Sequence, residues 1–329
     1  NSGTNAVIHT LTVPAGASPG ETVLRARYCG SPGSCASPVG AAPDGEVEDY
    51  RIVFGARPFQ CTNTLYQIAT STSQLRRIDF AGASASFVDV GPGAGMNVNA
   101  GWGFNDRDGF IYGLRSGTRE MWRVDALGNF YPLASPTGLP SNRNGSNAGD
   151  VLPDGRMIYK TANNRLTVVD LNTSPASFVR DISMSRSTNF IDLAYNPIDQ
   201  HLYAIDNDSD RLFWVDIATG AVTFFGPTHT GAFGAHWFDE DGRFYVYDND
   251  TNELSFIEVG FEGDGSGQRI LLSTSTNDEG GINDGAFCRG EAPIPLGGIS
   301  GVLYADTNGS DARDNDENGL GAGITVNLY

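Results

Sequence analysis

Asp306, Asn308, Ser310, Asp314 and Glu317 fall at positions 1, 3, 5, 9 and 12 of one short stretch, with the Ala312 carbonyl at position 7. Hard oxygen donors at that spacing are what an EF-hand-like loop offers to calcium. Asp311 departs from the pattern at position 6, where glycine normally makes the sharp turn; Gly309 stands two residues earlier. A solvated acidic loop would have a similar composition. The spacing of the donors favours calcium, so these six residues are the candidate ligands and calcium the expected cofactor.

Other reactive residue types point to structure instead. Asp79, Asp125, Asp170, Asp216 and Glu258 recur at near-regular intervals, which suits the capping of a repeated turn better than a ring of ligands. Gly16-Ala17-Ser18-Pro19-Gly20 matches GxSxG, but strands flank it on both sides, whereas a nucleophile elbow needs a strand, a sharp turn and a helix. His9, His201, His229 and His236 show no paired metal-ligand spacing. Trp102, Trp122, Trp214 and Trp237 sit inside apolar runs and read as core. His236-Trp237 is the best candidate for a side-chain pair lining a channel. No set of catalytic residues emerges, and the chain reads as non-enzymatic.

Cys29, Cys35, Cys61 and Cys288 are four cysteines without CxxC spacing. Their even number favours two disulfides and an oxidising compartment over a metal site. The net charge of −18 disfavours nucleic acid and anionic membrane surfaces as partners. No apolar run reaches the roughly 18 residues of a membrane helix. Lys160 is the only lysine, which leaves little scope for a lysine isopeptide crosslink.

Internal repeats supply the elements that must position these residues. Tyr66, Tyr112, Tyr159, Tyr203 and Tyr245 each lie in a short apolar strand, at steps of 46, 47, 44 and 42 residues. The five acids above end the next strand of each unit, at steps of 46, 45, 46 and 42. A further strand follows each acid, and another precedes each tyrosine strand after the first. Asp108-Gly109, Asp154-Gly155 and Asp241-Gly242 are hairpin signals between them. Four short strands per unit make the blade of a β-propeller. Five blades are expected, with a degenerate sixth over 134–147 as the weaker alternative. The first unit lacks its leading strand, and Asn283-Asp284-Gly285-Ala286-Phe287-Cys288 is an orphan strand that could complete it. Such closure would remove the exposed edges and bring Cys61 beside Cys288; Cys29 and Cys35 would close a small loop.

Two further segments carry family resemblances. Asp44-Gly45-Glu46-Val47-Glu48-Asp49-Tyr50, with the alternating strands before it, resembles the GEVED domain of bacterial secreted and surface proteins. Ile299 to Asn308 followed by Gly319 to Tyr329 resembles the opening of a B-type repeat of serine-aspartate-repeat adhesins, a calcium-binding immunoglobulin-like stalk module. The propeller is similar to repeat domains found beside such modules.

The expected architecture is therefore all-β: a five-bladed propeller over 56–288, closed by strand 283–288, flanked by two partial β-sandwich segments at 1–55 and 299–329, with a Pro/Gly linker at 289–298. The resemblances imply an extracellular or cell-surface module of a bacterial fibre or adhesin. Its partners would be neighbouring domains of a longer chain or other copies of itself, the latter giving a filament. A propeller that binds a glycan or surface protein is the alternative.

Overall fold

A computed structural model of the chain describes residues 20–30, 37, 45–60, 64–81, 84–274 and 283–287. β1 (Gly20–Cys29) and β2 (Gly45–Phe54) form an antiparallel hairpin running from Gly20 opposite Phe54 to Cys29 opposite Gly45. The sandwiches expected over 1–55 and 299–329 depend largely on residues outside the described set.

The remaining strands make five antiparallel four-stranded sheets. β3 (Leu65–Ala69), β4 (Gln74–Ala81) and β5 (Ser84–Val90) belong to blade 1. Blade 2 holds β6 (Gly103–Asn105), β7 (Phe110–Leu114), β8 (Met121–Val124) and β9 (Phe130–Leu133). Blade 3 holds β10 (Gly149–Val151), β11 (Arg156–Ala162), β12 (Arg165–Asp170) and β13 (Ser177–Ser183). Blade 4 holds β14 (Ala194–Tyr195), β15 (His201–Asp206), β16 (Arg211–Asp216) and β17 (Val222–Thr228). Blade 5 holds β18 (Phe233–Phe238), β19 (Phe244–Asp248), β20 (Glu253–Ile257) and β21 (Arg269–Thr274). β22 (Asn283–Phe287) returns to pair with β3, Phe287 opposite Leu65, and completes blade 1 as the repeat pattern requires. Residues 134–147 contribute no strand, so the ring has five blades.

Burial follows from this arrangement. The strands next to the axis and the tyrosine strands are covered by neighbouring blades on both faces, so β18 and β19 are buried along their whole length. The outer strands meet solvent, and β9 and β13 alternate only weakly. Five hydrophobic clusters fill the five gaps between adjacent blades. Leu65, Ile78 and Phe287 of blade 1 pack with Ala235, Trp237 and Leu254 of blade 5. The closing gap thus has a core like the other four, and each fully buried large apolar side chain contributes roughly 1.5–3 kcal/mol.

Glycine is required at two kinds of place. Gly109, Gly155 and Gly242 hold φ between 72° and 80° in the hairpin turns, a region L-residues rarely enter. At the centre the inner strands nearly touch: a Cβ on Gly149 would lie 2.7 Å from the Gly101 Cα.

Candidate functional site

Inner strands from three blades bring carboxylates together near the axis. Asp192, two residues before β14, and Asp284 on β22 are fully buried, and Asp150 on β10 is half-buried. Each accepts a backbone N–H from another blade. The Tyr195 N–H donates to Asp150 Oδ2 at 2.9 Å, the His236 N–H to Asp192 Oδ2 at 2.7 Å, and the Trp102 N–H to Asp284 Oδ2 at 3.0 Å. The other oxygens of Asp150 and Asp192 accept the N–H of Val151 and of Leu193. Burial, with neighbouring carboxylates adding to it, pushes both well above the usual carboxylate range.

His236 stands beside this cluster, as the sequence suggested. It lines, with Asp150, Gly285 and Phe287, a cavity of about 10 Å³, room for about one water molecule. Its imidazole is buried with neither ring nitrogen hydrogen-bonded. Burial pushes it down to about 3, so the ring is neutral at physiological pH. Trp237 shares the cavity wall, but its indole N–H donates to the Tyr66 carbonyl of blade 1 at 3.0 Å. Trp102, Trp122 and Trp237 are core, as expected, whereas Trp214 is only half-buried and donates its indole N–H to the Glu262 carbonyl at 2.9 Å.

The recurring acids hold turns. Asp125 Oδ1 accepts the N–H of Leu127 and of Asn129, both at 3.0 Å, and its Oδ2 accepts the Arg57 N–H at 3.1 Å. Burial alone would raise its pKa, but these donors hold it below the ordinary value. Asp170 accepts the Asn172 N–H, Asp216 the Ala218 N–H, and Glu258 the Ser266 hydroxyl. Asp79 instead pairs with Arg77 at 2.7 Å.

The recurring tyrosines have a related role that their spacing did not reveal. Tyr112, Tyr203 and Tyr245 donate their hydroxyls to Asp108, Asp199 and Asp239 in the turn preceding each tyrosine strand. Burial, then the carboxylate, raises all three phenols above their ordinary range.

An open concavity of about 490 Å³ lies between blades 3 and 4 and is lined by Arg156, Arg180, Tyr195, His201 and Asp216 among others. His201 lies against the Trp214 ring, with centroids 4.3 Å apart. Arg156 pairs with Asp154, and Arg180 donates to the Ile217 carbonyl at 2.7 Å.

The candidate calcium ligands Asp306, Asn308, Ser310, Ala312, Asp314 and Glu317 lie outside the described residues, as do Cys35, Cys61 and Cys288. Cys29, at the end of β1, is disulfide-bonded. Among the described residues no group of three or more His, Cys, Asp or Glu side chains is placed to hold a metal ion, and no helix is long and apolar enough to cross a membrane. The Lys160 ammonium is buried in blade 3, where it donates to the Phe190 carbonyl at 2.7 Å. Desolvation lowers its pKa to about 8.

Residues 64–290 match the family described as a repeat of unknown function (DUF6923), and residues 1–53 match the GEVED domain. No curated protein matches the chain. Among solved structures, it is similar to a streptogramin B lyase at 10% identity, with 65% of this chain and 61% of that chain covered and a TM-score of 0.37. The chain thus spans less than two thirds of that protein. It is also similar to virginiamycin B lyase from Staphylococcus aureus at 11% identity, covering 77% and 74%, with a TM-score of 0.38. A third is Myxococcus xanthus glutaminyl cyclase at 12% identity, covering 53% and 76%, again with a TM-score of 0.38. Likeness at this level carries no argument about this chain.

Proposed function

This chain belongs to the family of repeats of unknown function (DUF6923), and from that premise we propose that it is a non-enzymatic structural module of a bacterial cell-surface or extracellular protein. In this reading the propeller is a rigid spacer between neighbouring modules. The supporting observation is how the axial carboxylates are used. Asp150, Asp192 and Asp284 each accept a backbone N–H from another blade, so they fasten blades together instead of facing a substrate. Pulling the full chain in a force spectrometer tests this. One cooperative high-force event is expected for the propeller; blades peeling off singly at low force would sink the spacer reading.

Assembly and calcium belong to the same proposal. Head-to-tail contact between copies would be heterologous and open-ended, and would build a filament. Light scattering on the full chain at rising concentration should then show growth beyond a monomer, and a monomer throughout would remove the filament. Calcium held by Asp306, Asn308, Asp314 and Glu317 would protect residues 299–329 from protease. That protection should vanish with chelator or with Asp306→Ala.

A second reading, a glycan- or protein-binding propeller, draws on the groove between blades 3 and 4. Its Arg156, Arg180 and His201 side chains on a 490 Å³ concavity supply hydrogen-bonding groups beside an aromatic ring. Screening the full chain on a glycan array, with His201→Ala as control, separates the readings. Binding lost in the variant supports recognition there.

A further inference from the structure

We propose that the groove between blades 3 and 4 binds a neutral carbohydrate, and that Gln200 and Arg180 are the side chains that recognise its hydroxyls. The inference rests on the second reading above, a propeller that binds a glycan or protein there, and names the ligand class of that site.

Blade 4 departs from the repeat at one position. The turn between the inner strand and the tyrosine strand reads Asp108-Gly109, Asp154-Gly155 and Asp241-Gly242 in blades 2, 3 and 5, but Asp199-Gln200 in blade 4. The three glycines hold φ between 72° and 80°, and Gln200 holds φ at 64° in the same place. All four turns need a left-handed residue, and in blade 4 alone that residue carries a side chain. The conformation is unfavourable for any residue with a Cβ, and glycine adopts it at no steric cost. Nothing inside the fold uses the amide that stands in glycine's place. Gln200 is exposed, and its side chain makes no hydrogen bond to the described residues. It lines the groove. A left-handed residue that the fold itself does not need points to a ligand contact.

The groove adds further hydrogen-bonding groups, held in place by the fold. Arg180 of β13 gives one N–H to the Ile217 carbonyl at 2.7 Å and has no carboxylate partner among the described residues, so other N–H groups of its guanidinium are available. His201, which begins β15, lies against the Trp214 ring, and its buried Nδ1 is unbonded, 3.6 Å from Asp199 Oδ1. Asp199 accepts the Tyr203 hydroxyl and the Glu262 N–H, the latter at 3.0 Å, while Trp214 donates to the Glu262 carbonyl. A loop of blade 5 thus pins this wall, and groups fixed before binding lose little freedom on it. Charge sets the ligand class. Asp154, Asp199 and Asp216 line the groove with two guanidiniums, and Arg156 is already paired with Asp154. An anionic ligand would meet more carboxylate than free guanidinium, on a chain whose net charge is −18. A neutral sugar suits both kinds of group. Its hydroxyls donate to the carboxylates and accept from Arg180 and Gln200, and its C–H faces suit the apolar wall of Leu152, Ile217 and Ala218. About 490 Å³ lies within the usual range of small-ligand sites and admits a short oligosaccharide.

The test screens the full 329-residue chain on an array of neutral, uronic-acid and sulfated glycans, then follows the neutral oligosaccharide that binds by calorimetry. Gln200→Gly installs the residue that the other blades carry. It should leave the melting temperature little changed, because relief of the left-handed glutamine offsets the freedom that glycine adds to the unfolded chain. It should nevertheless weaken the neutral glycan about tenfold. Arg180→Gln should weaken it by a similar factor. Neutral-glycan binding that survives both variants overturns the proposal. If Gln200→Gly loses stability together with binding, Gln200 is a structural residue and the proposal falls. Binding confined to uronic-acid or sulfated glycans, and lost in both variants, overturns the neutral class while recognition at the groove stands. Binding to no glycan at all overturns the proposal and the glycan half of that reading together.

Discussion

Tyr112, Tyr203 and Tyr245 show what a repeated residue is for. Each lies opposite the residue two places before the acid that ends the next strand: Arg123 before Asp125, Trp214 before Asp216, Phe256 before Glu258. In that place the phenol reaches the aspartate of the preceding turn. Tyr159 lies opposite Thr167, three places before Asp170. It is one residue out of step, and because strand side chains alternate between faces its hydroxyl goes to the Arg143 carbonyl at 3.3 Å instead. Tyr203→Phe and Tyr245→Phe strip a donor from buried Asp199 and Asp239, and should each cost about 1–3 kcal/mol in urea unfolding. Tyr159→Phe should cost less, about 1 kcal/mol or below, since a carbonyl at 3.3 Å is the weaker partner. Equal losses at all three positions would mean that the tyrosines matter only for packing. The recurrence was legible in the sequence because spacing along the chain is enough to see it. The partner was not, because a one-residue offset leaves a period of about 45 almost unchanged yet turns the side chain to the other face. The five acids were read as turn caps on the same reasoning, and Asp125, Asp170 and Asp216 make those bonds.

At the scale of the element, β22 is where the ring was most readable and the site least so. Its likeness to the segment around Asp192 was enough to expect closure, since both are inner strands with an aspartate in the same place. The axial cluster was hidden because its members come from three blades, and no local pattern tells which carboxylates a ring brings to its axis. His236-Trp237 was marked as channel-lining, and it is, but the indole serves the ring. Its N–H bridges blade 5 to the Tyr66 carbonyl at 3.0 Å while its rings pack against Leu65 and Phe287. Trp237→Phe should cost about 1–2 kcal/mol for the lost bridge, and Trp237→Ala about 3–5 kcal/mol for the cavity as well. Trp102 donates to Val98 within its own neighbourhood at 3.1 Å. Hydrogen exchange should therefore speed up at β3 and β22 in Trp237→Phe but not in Trp102→Phe. Acceleration spread evenly over all blades in both variants would deny β22 a special place in closure.

The whole molecule is held shut by pairing between residues far apart in sequence, and the cysteines bear on that. In the β22–β3 ladder Phe287 stands opposite Leu65. Cys288 follows Phe287 directly, and Cys61 precedes Leu65 by four residues, so both chains leave the ladder at the same end. A Cys61–Cys288 bond would covalently close the ring that β22 closes by hydrogen bonds. Linking residues so distant removes roughly 5 kcal/mol of unfolded-state entropy in the chain-entropy model, comparable to the whole stability of a small domain. Cys29 is in a disulfide, expected to pair with Cys35, whose loop is too short for a similar effect. The two bonds can therefore be told apart. Intact mass under non-reducing conditions should fall short of the reduced chain by four hydrogens, and peptide mapping should join the segments holding Cys61 and Cys288. Cys61→Ser and Cys288→Ser should each lower the melting temperature by roughly 10 °C and make it insensitive to reductant, whereas Cys35→Ser should barely move the propeller transition. The double variant should match either single one, because both remove the same bond. A free thiol at Cys61 or Cys288 in the native protein would leave the ring closed by β22 and its clasps alone, and the melting temperature of the wild type would then be indifferent to reductant as well.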